Sequence, residues 1–109
     1  MNRGEIYTAA ARGAYTSKPR PVVLVQDDRF DATASITVCP LTSSTTEAPL
    51  FRLPVEADET TGLDQPSSIM IDKITTMPRA NLGERLGRLP DADILALSRA
   101  LVVFLGLGD

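Results

Sequence analysis

The chain has 109 residues, 43% hydrophobic and 23% charged, which suits a single folded domain over residues 1–109 and lies far from the composition of disorder. Histidine is absent and Cys39 is the lone cysteine, which excludes histidine-based nucleophilic catalysis, an internal disulfide and a cysteine zinc site. The formal net charge of −3 argues against broad electrostatic attraction to nucleic acid, but residues 1–30 carry five basic and three acidic groups, so an anion site is expected in the N-terminal third.

In chain order, RGEIYTAA reads as a first strand around Ile6 and Tyr7, and residues 13–19 as a loop. The second strand is expected from Val22 to Gln26. Ahead of it, KPRPVVLVQDD sets Arg20 between Pro19 and Pro21, which fix two φ angles and bias the preceding residues to extended geometry. SITVCPLTS reads as a third strand ended by Pro40, since proline cannot donate to a ladder, with Thr42 and Ser43 emerging beside that end. LFRLPVEA gives a fourth strand.

DETTGLDQPSS follows as a solvated acidic loop, because Asp58, Glu59 and Asp64 lack calcium-loop spacing. IMIDKITTM reads as one long β-branched run and LGERLGRL as a short last strand. The period then changes: Ile94, Leu97, Leu101, Phe104 and Leu105 share one helix face, with Asp91 as N-cap or first-turn acid after Pro90 and Gly106 as the stop. Cys39, Met70 and Met77, like the stripe Leu97, Leu101 and Leu105, are expected as core or interface filler. A small barrel or strongly curved sheet closed by one terminal helix fits this order. The apolar stretch from Ile94 to Leu107 is too short to span a bilayer and no signal-peptide pattern is read, so the expected location is cytoplasmic, without membrane contact.

No GxxxxGKS or GxGxxG loop is present to cradle a nucleotide. What remains is Arg20 near the hydroxyl pair Thr42 and Ser43, provided the second and third strands are neighbours. A guanidinium fork matches phosphate oxygens, and a stiff backbone leaves less ordering to do when the anion arrives. The competing reading has Arg20 paired with Asp27, Asp28 or another surface acid, merely solubilising a strand end. The residues alone leave both open.

RGEIY, PRPVVLVQDD, CPLTS, TGLDQPSSIMIDKITT, LGERLGRL and ALSRALVVFLGL, in that order, resemble the MazF/PemK family of toxin endoribonucleases, or mRNA interferases, from Arg3 to Leu107. The resemblance implies a mainly β (α+β) fold: an SH3-like small barrel of the CcdB/PemK-like plasmid toxin type, with a C-terminal helix and acting as a homodimer. It implies the toxin of a type II toxin–antitoxin system, one that cleaves single-stranded RNA sequence-selectively without metal or cofactor and inhibits translation and growth. A cognate antitoxin is the implied protein partner.

The family's catalytic arginine, before the proline of RPVV, falls on Arg20, and its catalytic threonine, in LTS, falls on Thr42. The chemistry implied is attack of a ribose 2′-hydroxyl on the adjacent phosphorus. Arg20 would stabilise the charge of the phosphorane, and Thr42 would hold a phosphate oxygen or orient the hydroxyl. Water, a nearby carboxylate or the substrate itself remains open as proton acceptor, since a guanidinium is a poor base.

Ser43, Lys18, Tyr15 and Lys73 are the candidate RNA-binding residues: a supporting hydroxyl, two cations for backbone phosphates and a ring for an unpaired base. The chain departs from the family at Lys73, where glutamine is common, at Thr75, where arginine is common, and in the shorter loop GAYTSK. The alternatives are a CcdB-like gyrase-binding toxin and a catalytically degenerate member that only binds antitoxin. A phosphate clamp beside a hydroxyl favours the nuclease.

Overall fold

Burial on both faces of a sheet explains the apolar run after Arg20. In the computed structural model, which describes residues 1–10, 19–44 and 51–108, Val22 and Leu24 pack with Ala9, Ile36 and Val38. Val23 and Val25 join the larger cluster of Ile6, Cys39, Leu41, Ile69 and Leu97. Side chains alternate across a strand, so a doubly covered strand reads as an unbroken apolar run.

The elements are β1 (Glu5–Ala9), β2 (Arg20–Leu24), β3 (Ser35–Thr42), β4 (Arg52–Val55), β5 (Ser67–Met70), β6 (Thr75–Pro78), β7 (Leu82–Arg88) and α1 (Asp91–Phe104). All pairings among the described residues are antiparallel, in the order β4-β5-β3-β2-β1-β7, with β6 also on β3. The result is a mainly β, seven-stranded antiparallel sheet with the expected terminal helix.

Three expectations need correction. Pro40 does not end β3, which continues to Thr42. Before Pro40, Val38 pairs with Thr75 of β6, and after it Leu41 and Thr42 pair with Ile69 and Ser68 of β5. The nitrogen without a hydrogen falls in the gap between these partners, where no ladder donor is needed.

The run IMIDKITTM is not one strand. A 3₁₀ turn at Ile71–Lys73 separates β5 from β6, with Ile71 fully buried at the corner. The turn lets the chain pass along one edge of β3, from β5 opposite Leu41 and Thr42 to β6 opposite Ser35–Val38. The helix stripe is only partly core: Leu97, Ala100 and Leu101 are buried, but Phe104 is 44% and Leu105 48% exposed. Pro90 occupies the N-cap position and Asp91 is a first-turn acid, while Gly106 ends the helix at φ +71°. Among the described residues, no helix is long and apolar enough to cross a membrane.

Candidate active site

Two prolines open the site. The Val25 N–H donates to the Thr37 carbonyl at 3.1 Å, and the β2–β3 register runs through Val23 opposite Cys39 to Val22 opposite Pro40. Hydrogen-bonded positions recur at every second residue of an antiparallel pair, so the next would be Pro21 opposite Leu41. Pro21 has no N–H to give, and the ladder stops. Two residues beyond the last pair, the same register sets Arg20 opposite Thr42 on the separating strand ends.

Each end is held by a different neighbour. Arg20 opposes Ala9 of β1, and Thr42 opposes Ser68 of β5. Arg20 is exposed and has no ion pair among the described residues. The acids that sequence reasoning offered it are otherwise engaged. Asp27 bonds the Arg29 N–H at 2.8 Å and its guanidinium at 3.1 Å, and these contacts hold its carboxyl below the usual carboxylate range. Asp28 accepts the Arg3 N–H at 2.6 Å. The Thr42 hydroxyl accepts the Ser44 N–H at 3.1 Å, leaving its own proton free to donate.

Arg20, Thr42 and Ser43 border one hollow of about 280 Å³, together with Pro21, Leu63 and Asp64. Arg20 also borders a second hollow of about 230 Å³, walled by Ala9, Val22, Thr75, Met77 and Asn81. It stands on the ridge between them. Lys73 is exposed at the end of its 3₁₀ turn and lines neither hollow. Tyr15 and Lys18 lie outside the described residues.

The loop after β4 was expected to be solvated, and its middle is not. Asp58 accepts the N–H groups of Thr60 and Thr61 at 2.9 Å each, and the Thr61 hydroxyl, 1% exposed, donates to the Glu56 carbonyl at 2.8 Å. The Arg88 N–H then bonds the Thr60 carbonyl at 2.9 Å, docking the loop on β7. Gly62 sits at φ +69°, where a Cβ would lie 1.9 Å from the Leu86 carbonyl oxygen. Leu63 is anchored in the core next to it. This turn carries Asp64 and Gln65 to the rim of the hollow. Sequence reasoning missed that placement; Gly62 was its one local signal.

Away from the hollow, Arg52 clamps Asp72 through two bonds of 3.0 and 3.2 Å. That contact holds the Asp72 carboxyl below its ordinary range. Burial, helped by the Asp72 charge, pushes the Cys39 thiol up to about 12, which removes it as a nucleophile.

Residues 2–105 match the family of PemK-like, MazF-like toxins of type II toxin–antitoxin systems. The chain is 62% identical to the probable endoribonuclease MazF of Mycolicibacterium smegmatis, over 98% of each chain. It is 34% identical to the endoribonuclease MazF9 of Mycobacterium tuberculosis, again over 98% of each. Among solved structures, the Mycobacterium tuberculosis toxin MazF-mt6 superposes with a TM-score of 0.79 at 27% identity, covering 94% of this chain and 96% of that one. The chain therefore belongs to the PemK-like, MazF-like toxin family. Within that family it falls among the MazF endoribonucleases.

Proposed function

We propose that the hollow between the ends of β2 and β3 cleaves single-stranded RNA, with Arg20 and Thr42 as the catalytic residues. The observation that carries this reading is Arg20, unpaired among the described residues, set across from a donor-competent Thr42, just where Pro21 interrupts the ladder. The 2′-hydroxyl attacks phosphorus in line, Arg20 meets the charge that grows on the phosphoryl oxygens, and Thr42 donates to one of them. Ser43 supports the same phosphate from the rim. Neither step calls on a metal.

The second hollow lies on the other side of Arg20, where the neighbouring nucleotide of a bound strand belongs. Its wall carries Thr75 in place of the arginine common in the family, so the sequence cut is expected to differ from that of relatives with the arginine. Lys18, Tyr15 and Lys73 would act farther along the strand. With a net charge of −3, the protein attracts RNA locally rather than over its whole surface.

In the cell the toxin acts in the cytoplasm, cutting RNA, stopping translation and growth, until a cognate antitoxin occupies the Arg20 region. Pairing of two copies is supported by the apolar end of α1 and the turn after it, where Val103 is 65%, Phe104 44% and Leu107 70% exposed. A gyrase poison would have no use for a guanidinium and a hydroxyl meeting in one hollow.

The test is incubation of the purified protein with a long RNA in EDTA, with the ends mapped, beside Arg20→Ala. Cutting at a defined sequence that the variant loses is the expected outcome. Intact RNA, or equal cutting by Arg20→Ala, overturns the assignment, whereas cutting lost only on adding EDTA overturns its metal independence.

A further inference from the structure

We infer that Asp64 is the general base of the cleavage reaction. The inference rests on the reading of Arg20 and Thr42 given above and supplies the proton acceptor that reading lacks. Among the described residues, Asp64 is the one carboxylate bordering the hollow shared by Arg20 and Thr42. The chain has no histidine to do this work, and the Cys39 thiol is buried and protonated.

Placement sets Asp64 apart from the other acids of its loop. Asp58 spends its carboxylate on the turn, and Glu59 borders neither hollow. Asp64 is exposed and makes no side-chain hydrogen bond or ion pair among the described residues, so its oxygens are available. The backbone that carries it is nevertheless rigid: Leu63 is buried and Gly62 is wedged against the Leu86 carbonyl. An exposed carboxylate on a fixed backbone is what general base catalysis asks for. Arg20, the other ionised group on the rim, would hold the phosphate in the same hollow that Asp64 borders.

The step balances as follows. Asp64 takes the 2′-hydroxyl proton as the 2′-oxygen bonds to phosphorus, and the bond from phosphorus to the 5′-oxygen breaks. The 5′-oxygen takes a proton from water, and the hydroxide left behind recovers the proton from Asp64. The products are a 2′,3′-cyclic phosphate and a 5′-hydroxyl.

The deciding experiment measures single-turnover cleavage by Asp64→Asn and Asp64→Glu across pH, beside wild type and Arg20→Ala. Binding is read with an RNA carrying one 2′-deoxynucleotide at the mapped cut, which lacks the nucleophile. Asp64→Asn is expected to cut roughly 10²- to 10⁴-fold more slowly, to lose the acid limb of the pH–rate profile and to bind the deoxy RNA no more weakly. Asp64→Glu should recover part of the rate with the limb restored. Asp64→Asn that cuts at the wild-type rate with the wild-type profile overturns the inference, as does one whose slower cutting is matched by weaker binding. If wild type cuts and Arg20→Ala does not while Asp64→Asn does, only Asp64 is wrong. If wild type leaves RNA intact, the underlying reading fails instead.

Discussion

Arg20 and Arg52 each open a strand, β2 and β4, and they are used in opposite ways. Arg52 is 16% exposed, meets Asp72 through two hydrogen bonds and lies over the Phe51 ring at 5.9 Å. Its charge is spent on joining the start of β4 to the turn after β5. Arg20 is exposed, flanked by prolines and unpaired among the described residues. Its backbone rather than a partner supplies the order. A cation fixed by an acid becomes structure, and one fixed only by its backbone stays available to a ligand.

Removing the two guanidiniums should therefore separate activity from stability. Arg20→Ala is expected to lower cleavage by about 10²- to 10³-fold, near 3–4 kcal/mol of transition-state stabilisation, with thermal stability shifted by no more than about 0.5 kcal/mol. A variant that melts early and cuts normally would make Arg20 a second Arg52. Gly62→Ala should cost about 2–3 kcal/mol in denaturant titration, because it meets both a left-handed φ and the Leu86 carbonyl. Slower cleavage should follow as the Asp64 loop shifts; unchanged stability would show that the loop is not docked as described.

Arg52→Ala should cost about 1–2 kcal/mol, the range of a charge-assisted hydrogen-bonded pair that is only partly buried. Cleavage per folded molecule should stay the same, and a selective loss of rate would break the contrast with Arg20. The smallest effect is in pH. The Asp72 carboxyl is lowered in the folded state, chiefly by its hydrogen bond to Arg52, so its contribution is present above the unfolded-state value and is lost as pH falls through the folded one. Asp72→Asn should flatten that acid decline in melting temperature, whereas an unchanged slope assigns it to other carboxylates.

How much was legible in the sequence depended on how far each decision reached. The strands β1, β2, β4 and β7 and the helix follow from local periodicity, which burial on one or two faces imprints directly. Pro40 was misread because a proline harms a strand only where its nitrogen faces a donor position, and that depends on partners distant in the chain. The break at Ile71 was hidden for a similar reason: a fully buried isoleucine in a corner looks like one in a strand. Arg20 stood out through Pro19 and Pro21, but its acids Asp27 and Asp28 could be dismissed only once Arg29 and the Arg3 N–H were seen to occupy them. Asp64 was lost in an acidic loop because its placement rests on the bond between Thr60 and Arg88 on β7.

The change of partner at Pro40 has a dynamic consequence. Arg20 is anchored through β1 and Thr42 through β5, so the proposed catalytic pair is divided between two different strand pairings. Lifting the β4–β5 hairpin away from β3 would part them while the rest of the domain stayed folded, at a free energy below that of global unfolding. Hydrogen exchange at Ser68, whose pairing is to Thr42 of β3, reads that opening, and protection equal to the global value would argue against it. A partner that pries at β5 could then silence the toxin without ever touching its arginine.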